Sequence, residues 1–384
     1  MKKVFSFVMG ILFLFASFDV EAKSEPKPKP GIESVTAPSA VLVDANSGKV
    51  LYEKNSHEAR MCASITKVMT LLLVFDAIYD GRLKLDDEVL ISSHAASMDG
   101  SNVFLEAGEK MSVNDLIKSV VIVSANDAAV ALAECTYESE EKFVSKMNER
   151  AKILNMNDTV FKNCNGLDQE GHVSSAYDIA IMSRELMKHE QIFSYTSIWM
   201  DYLRNGKTQL VSTNKLLKTY PGITGLKTGT TDGAGCCMVA TANRNKMSLI
   251  SVVLGCNDSK ARFSDSAIIL NYGFENFFVV PLKFDKSKLT PLKIVAGMKD
   301  DLQLDTKIPQ GVLLSKDSER KIKTTIEVPE MIDAPVKSGQ VVGKVVYSLV
   351  DEVLDEGEIF ATEDVERMSF GKIFSIVLRA FTKM

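Results

Sequence analysis

Apolar and polar positions along the chain fall into runs of two different periods. Between Ser39 and Asn55 two β-rich runs flank Asn46-Ser47-Gly48, a turn sequence that predicts a hairpin. From Ser64 onward Val68, Met69, Leu71, Leu72, Leu73, Val74, Phe75 and Ile78 line a helix that stops at Gly81. It is apolar almost all round, which predicts a helix running through a core. Leu116 to Glu134 reads as helices broken at Ser124-Ala125-Asn126-Asp127, residues whose side chains favour a local turn. Ala176 to Lys188 and Ser264 to Phe278 are amphipathic helices. Between them Met238 to Ala242 and Met247 to Gly255 are strands split by Asn243-Arg244-Asn245-Lys246, a second hairpin. Strands at both ends with helices between them predict an α+β fold, an antiparallel sheet packed with helices, and not alternating βαβ units.

After Pro281 short β-type runs take over: Gly311 to Leu314, Ile322 to Val328, Val341 to Leu349 and Glu358 to Ala361. Pro309, Pro329 and Pro335 exclude long helices there. Residues 281–367 are therefore expected to form a small all-β domain, a β-sandwich, and no catalytic constellation is visible in it. From Met368 to Met384 the pattern turns helical again. Phe370, Phe374, Val377, Leu378 and Phe381 fall on one face, Lys372, Ser375, Arg379 and Lys383 towards the other, with no acidic side chain. A basic amphipathic helix of this kind lies in a membrane interface and prefers anionic lipid.

The opposite end reads as an export signal. Lys2 and Lys3 precede the apolar stretch Val4 to Phe15, and Val20-Glu21-Ala22 supplies small residues for cleavage after Ala22. That stretch is well short of the ~20 residues a spanning helix needs. Residues 23–36 follow as an extended linker, with Pro26, Pro28 and Pro30 alternating with charge. The domain expected to carry the chemistry is thus 37–280.

Composition mainly excludes. A net charge of −5 over 384 residues, without a basic cluster interleaved with aromatics, argues against nucleic-acid binding. Four scattered histidines and no paired Cys-x-x-Cys predict no metal site, and no cofactor motif is present. The six cysteines lack framework spacing and read mostly as buried small hydrophobes.

The candidate chemistry begins at Ser64-Ile65-Thr66-Lys67. Residues three apart share one helical face, so a serine hydroxyl and a lysine amine can meet without any histidine. Two further pieces follow in order, Ser124-Ala125-Asn126 and Lys227-Thr228-Gly229. Together they match, with Ala125 in the middle of the second, the motif set of penicillin-binding proteins and class A β-lactamases. With Val43 to Tyr52, Asn165-Gly166-Leu167-Asp168, Gly171-His172 and the surroundings Gly225 to Ala242, the chain resembles the serine D-alanyl-D-alanine carboxypeptidases over nearly its full length. These are the low-molecular-mass penicillin-binding proteins. The resemblance implies a five-stranded sheet flanked by a helical subdomain, of the β-lactamase/transpeptidase type.

Ser64 is the expected nucleophile and needs a base, since a free hydroxyl is a poor nucleophile at neutral pH. Lys67 is the in-reach base, with burial and the charge of Lys227 both expected to lower its pKa. Ser124 is expected to relay the proton, and Asn126 to orient Lys67 while holding a substrate carbonyl. Lys227 should lie on an edge strand beside the serine, where Gly229 lets backbone approach closely. Lys227 and the hydroxyls of Thr228 and Thr230 can hold a terminal carboxylate. Leu226 before Lys227 excludes a phosphate loop. The resemblance further implies an oxyanion hole from the backbone N–H groups of Ser64 and Thr230, and a carboxylate contact from Arg262, which the residues alone read equally as an ordinary surface arginine in the polar loop Asn257 to Arg262.

The expectation is an exported enzyme at the outer face of the cytoplasmic membrane. It would remove the terminal D-alanine from peptidoglycan pentapeptides through an acyl-enzyme and be acylated by β-lactam antibiotics. A β-lactamase is the enzymatic alternative, but no Glu-x-x-x-Asn stretch follows the second motif to activate a deacylating water. A non-catalytic penicillin-binding scaffold is the other, and the intact motif residues argue against it.

Overall fold

The computed structural model describes residues 31–316, 322–349, 352–371 and 373–374. The export signal, the linker up to residue 30 and most of the terminal amphipathic segment lie outside the described residues. Five strands form the main sheet: β1 (Ser39–Asp44), β2 (Val50–Lys54), β3 (Ile223–Thr231), β4 (Gly235–Arg244) and β5 (Met247–Cys256), in the order β2-β1-β5-β4-β3. Every neighbouring pair is antiparallel. The first hairpin closes where Gly48 adopts φ +79° and the Asp44 carboxylate accepts from the N–H and hydroxyl of Ser47. Because β1 pairs with β5, the two ends of this unit meet in the middle of the sheet, leaving β3 at an edge.

Side-chain alternation splits the sheet into two cores. Val41, Val43, Val239, Ile250 and Val252 face a helical layer made of α1 (Lys67–Tyr79), α2 (Val113–Ile122), α3 (Asn126–Tyr137), α4 (Glu140–Ile153) and α5 (Ala176–Met187). Ala40, Leu42, Met238, Ala240 and Leu249 face α6 (Ser259–Asn276). Ser112, Ser139, Ser175 and Asp258 each accept a backbone N–H at the start of α2, α4, α5 and α6, satisfying donors that a helix N-terminus cannot pair internally. Helix α1 buries nearly every residue from Lys67 to Ala77, as its all-round apolarity predicts.

Two local readings change. Ser64 lies in a 3-10 turn, Ala63–Thr66, and the α-helix begins only at Lys67. Arg262 is not in a polar loop: the Asp258 cap starts α6 early and places Arg262 on its first turn. Asp265 on the same helix accepts the N–H groups of Thr36 and Ala37, tying down the end of the linker.

Beyond α6 the chain is β-rich. A four-stranded sheet, in the spatial order Leu304–Lys307, Glu352–Ala361, Val341–Leu349, Lys323–Glu327, accompanies a three-stranded one built on Leu292–Val295. Two small apolar clusters centred on Leu302 and Val336, and on Val345, Tyr347 and Ile359, hold this all-β domain. Among the described residues no helix is long and apolar enough to cross a membrane.

Candidate active site

All three motifs converge where the start of α1, the α2–α3 turn and edge strand β3 meet. Lys67 is fully buried, and its Nζ donates to Ser64 Oγ at 3.0 Å, Asn126 Oδ1 at 2.6 Å and the Asn165 carbonyl at 2.5 Å. Burial lowers its pKa from the usual lysine value to about 7. The expected second cause, repulsion from Lys227, falls instead on Lys227, whose pKa is pushed well down by burial first and by Lys67 and Arg262 next. A neutral Lys67 has two N–H bonds and one lone pair. Two of its partners, the Asn126 amide oxygen and the Asn165 carbonyl, can only accept. The lone pair is then left for the one partner that can donate, the Ser64 hydroxyl.

The second motif is held in a conformation that few side chains adopt freely. Ser124 has φ +64°, and Lys227 Nζ donates to its Oγ at 2.7 Å and to the Thr228 carbonyl at 2.8 Å. Asn126 opens α3; its Nδ2 donates to the Asp99 carbonyl at 2.6 Å, so one of its two amide protons is engaged by the protein itself. The neighbouring Asp127 carboxylate accepts the N–H groups of Val103, Leu105 and Ala128.

Glycines bring the parts together. Gly166 has φ +85°, and a Cβ there would lie 2.0 Å from the Ala63 carbonyl oxygen and 2.9 Å from Ser64 N. A Cβ on Gly229 would meet Ser64 N, Ala63 Cβ and the Cys62 carbonyl within 3.1 Å. Gly229 thus packs tightly against the nucleophile's own turn, a neighbour that the sequence did not suggest. Both glycines press on the peptide that carries the Ser64 N–H.

On β3, Thr228 Oγ1 donates to Thr213 Oγ1 at 2.7 Å, while Thr230 Oγ1 accepts from Arg262 Nη1 at 2.7 Å. Arg262 Nη1 also donates to the Gly229 carbonyl at 2.9 Å. Arg262 is therefore brought to the third motif from behind the strand, whereas the Thr228 hydroxyl is engaged by the loop before it. Lys67, Lys227 and Arg262 are all buried, at 0%, 2% and 8% exposure, and among the described residues no carboxylate forms an ion pair with any of them. Unpaired buried cations are costly. Burial accordingly lowers the pKa of all three, weakening the hold of each on its proton.

Several residues of the site carry no periodic or motif signal. The Asn165 carbonyl touches Lys67, and Thr70 Oγ1 donates to the Cys164 carbonyl at 2.5 Å. His172 Nδ1 accepts from Lys162 N, so its proton sits on Nε2, which donates to Thr66 Oγ1 at 2.8 Å. Burial pushes this imidazole down to about 4, so it stays neutral and bolts the loop to the nucleophile's turn. Asp168 accepts from Thr231 Oγ1 and Gly233 N and ties the same loop to the β3–β4 turn. The Asn165-Gly166-Leu167-Asp168 and Gly171-His172 stretches were visible in the sequence only as flanks.

Residues 21–258 match the family described as D-alanyl-D-alanine carboxypeptidase, and residues 280–367 the family described as penicillin-binding protein 5, C-terminal domain. D-alanyl-D-alanine carboxypeptidase DacF of Bacillus subtilis is 40% identical, the alignment covering 100% of both chains. D-alanyl-D-alanine carboxypeptidase DacC of Escherichia coli is 34% identical over 97% of this chain and 94% of its own. Among solved structures, penicillin binding protein 5 from Haemophilus influenzae matches with a TM-score of 0.75 and 31% identity, over 87% of this chain and 98% of that one.

Proposed function

The chain belongs to the serine-type D-alanyl-D-alanine carboxypeptidase family, the low-molecular-mass penicillin-binding proteins, and from that premise we propose how its residues divide the work. Ser64 Oγ attacks the carbonyl of the penultimate D-alanine of a peptidoglycan stem peptide while Lys67, neutral at the moment of attack, takes the hydroxyl proton. The backbone N–H groups of Ser64 and Thr230 receive the developing oxyanion; such donors contribute about 3–4 kcal/mol each to lowering the barrier. Ser124, held by Lys227, passes a proton to the departing amine as terminal D-alanine leaves. Water then hydrolyses the ester. Asn126 fixes Lys67 through its oxygen and offers its remaining amide proton to the substrate backbone. A β-lactam follows the first half of this route and acylates Ser64.

The observation that carries the reading is the buried Lys227 and Arg262, with no carboxylate partner among the described residues and with Thr230 held by Arg262, beside a serine hydroxyl that meets a lysine whose pKa burial has lowered. A peptide with a free C-terminal carboxylate would supply the missing charge to Lys227, Thr230 and Arg262, with Thr228 lining the same strand. A peptide ending in D-Ala-D-Ala should therefore be cleaved roughly ten- to a hundredfold faster than its C-terminal amide, the loss expected for one charged hydrogen-bonded contact. Equal kcat/KM for acid and amide would refute the carboxylate pocket.

Export through residues 1–22 and attachment through Met368 to Met384 complete the proposal. Phe370 and Phe374, at the start of that segment, are exposed and stacked with ring centroids 6.3 Å apart. An exposed aromatic pair leading into a basic apolar-faced stretch suits an anionic bilayer surface. Removal of residues 368–384 should abolish co-sedimentation with anionic vesicles and leave cleavage of a short soluble peptide unchanged. Full-length mature protein that fails to sediment with such vesicles would overturn the attachment.

A further inference from the structure

On the face of the sheet that carries α6, Thr230, Cys236 and Cys256 stand in one row across β3, β4 and β5. Thr230 is the register partner of Cys236, and Cys236 that of Cys256. Both cysteines belong to the apolar cluster under α6, whereas Cys62 and Cys237 belong to the cluster on the opposite face. Both are free thiols, Cys236 at 8% and Cys256 at 1% exposure. Residues directly opposed on antiparallel strands share a face and have Cα atoms about 4.5–5.5 Å apart. A disulfide needs Cα atoms about 4.4–6.8 Å apart. The backbones run close at this point: a Cβ on Gly235 would lie 3.0 Å from the Cys256 carbonyl oxygen. In front of the pair, Thr230 Oγ1 lies 3.8 Å from Cys236 Sγ and is the acceptor for Arg262.

We infer that Cys236 and Cys256 are an oxidisable pair that closes a cross-strand disulfide by exchange with a low-molecular-mass disulfide, and that closure disturbs the Thr230–Arg262 contact. Cys236, the more exposed, attacks as its thiolate and releases one thiol from the reagent, giving a mixed disulfide. Cys256 then loses its proton, and its sulfur displaces the second thiol. Two protein thiols become one disulfide, and the reagent carries off both electrons as two thiols. Opposed Cβ atoms start about 4.5–5.5 Å apart and must approach to about 3.5–4.5 Å, so Cys236 Sγ moves towards β5 and away from Thr230. The proposed export would place the pair where such oxidants persist. The consequence for substrate rests on the carboxylate reading given above; formation of the bridge does not.

The native full-length protein is treated with excess 2,2′-dithiodipyridine, and the released thione is counted while intact mass and peptide maps are recorded. The expected product has lost two hydrogens, carries no adduct at this pair, and yields a Cys236–Cys256 linked peptide. Cys256→Ser should instead trap a mixed disulfide on Cys236. Bridged enzyme should show a KM for the D-Ala-D-Ala acid raised roughly tenfold, the lower end for losing a hydrogen bond to a charged group, and restored by dithiothreitol. Absence of the linked peptide from native protein, under conditions where all six thiols react after denaturation, would overturn the pair. A bridge that forms without changing KM would overturn its coupling to Thr230 and Arg262.

Discussion

The catalytic cleft and the C-terminal β domain treat charge in opposite ways. In the cleft Lys67, Lys227 and Arg262 are withdrawn from water without an ion-pair partner among the described residues, and the backbone around them takes positive φ at Ala63 and Ser124. In the β domain lysines stay in solvent and meet carboxylates, Lys344 with Glu356 at 2.6 Å and Lys293 with Asp301 at 2.7 Å across neighbouring strands, and Lys286 of a 3-10 turn with Asp305 at 2.6 Å. Each of these side chains is more than a third exposed. Exposed pairs of this kind contribute little to stability. The cleft, by contrast, holds groups in states that water would not tolerate, and such perturbation marks a site of chemistry. The comparison separates a region that buries its basic groups without ion pairs among the described residues from one whose charges remain paired in solvent.

Two substitutions break or sharpen that contrast. Lys67→Arg has the larger expected effect. It keeps a cation in the same place, but a guanidinium does not deprotonate in a protein. Acylation of Ser64 by a β-lactam at single turnover should fall by roughly 10²–10⁴-fold, the range a positioned base supplies; a near-normal rate would place the base elsewhere. Lys344→Ala has the smallest. It removes the partner of Glu356 and Glu327, and the thermal midpoint and acylation rate should both stay within error of the parent. A clear loss of stability would show that the β-domain pairs are structural after all.

Local pattern was enough to place most elements. The Asn46-Ser47-Gly48 turn, the break at Ser124 and the strands either side of Asn243 to Lys246 all follow from short-range preferences that the tertiary structure reinforces. Lys227 on an edge strand was legible because Gly229 and the run around it match a known motif. What escaped was long-range or backbone-borne. The Asn165 carbonyl reaches Lys67 from 98 residues away, and a carbonyl has no residue-type signature. The helical placement of Arg262 depended on the Asp258 cap, a single residue within a polar stretch. The packing of Gly229 against the Ser64 turn was not legible because the two are distant in sequence.

The central claim is that burial converts Lys67 into a base at neutral pH, and the acylation rate constant of Ser64 as a function of pH tests it most directly. With Lys67 lowered to about 7 by burial, the amine is neutral above that pH and protonated below it. The rate should rise with pH through a single limb centred near 7, falling tenfold for each unit below, and level off above. A rate that stays flat from neutrality down into the carboxylate range would contradict the account, because a protonated lysine cannot accept the serine proton.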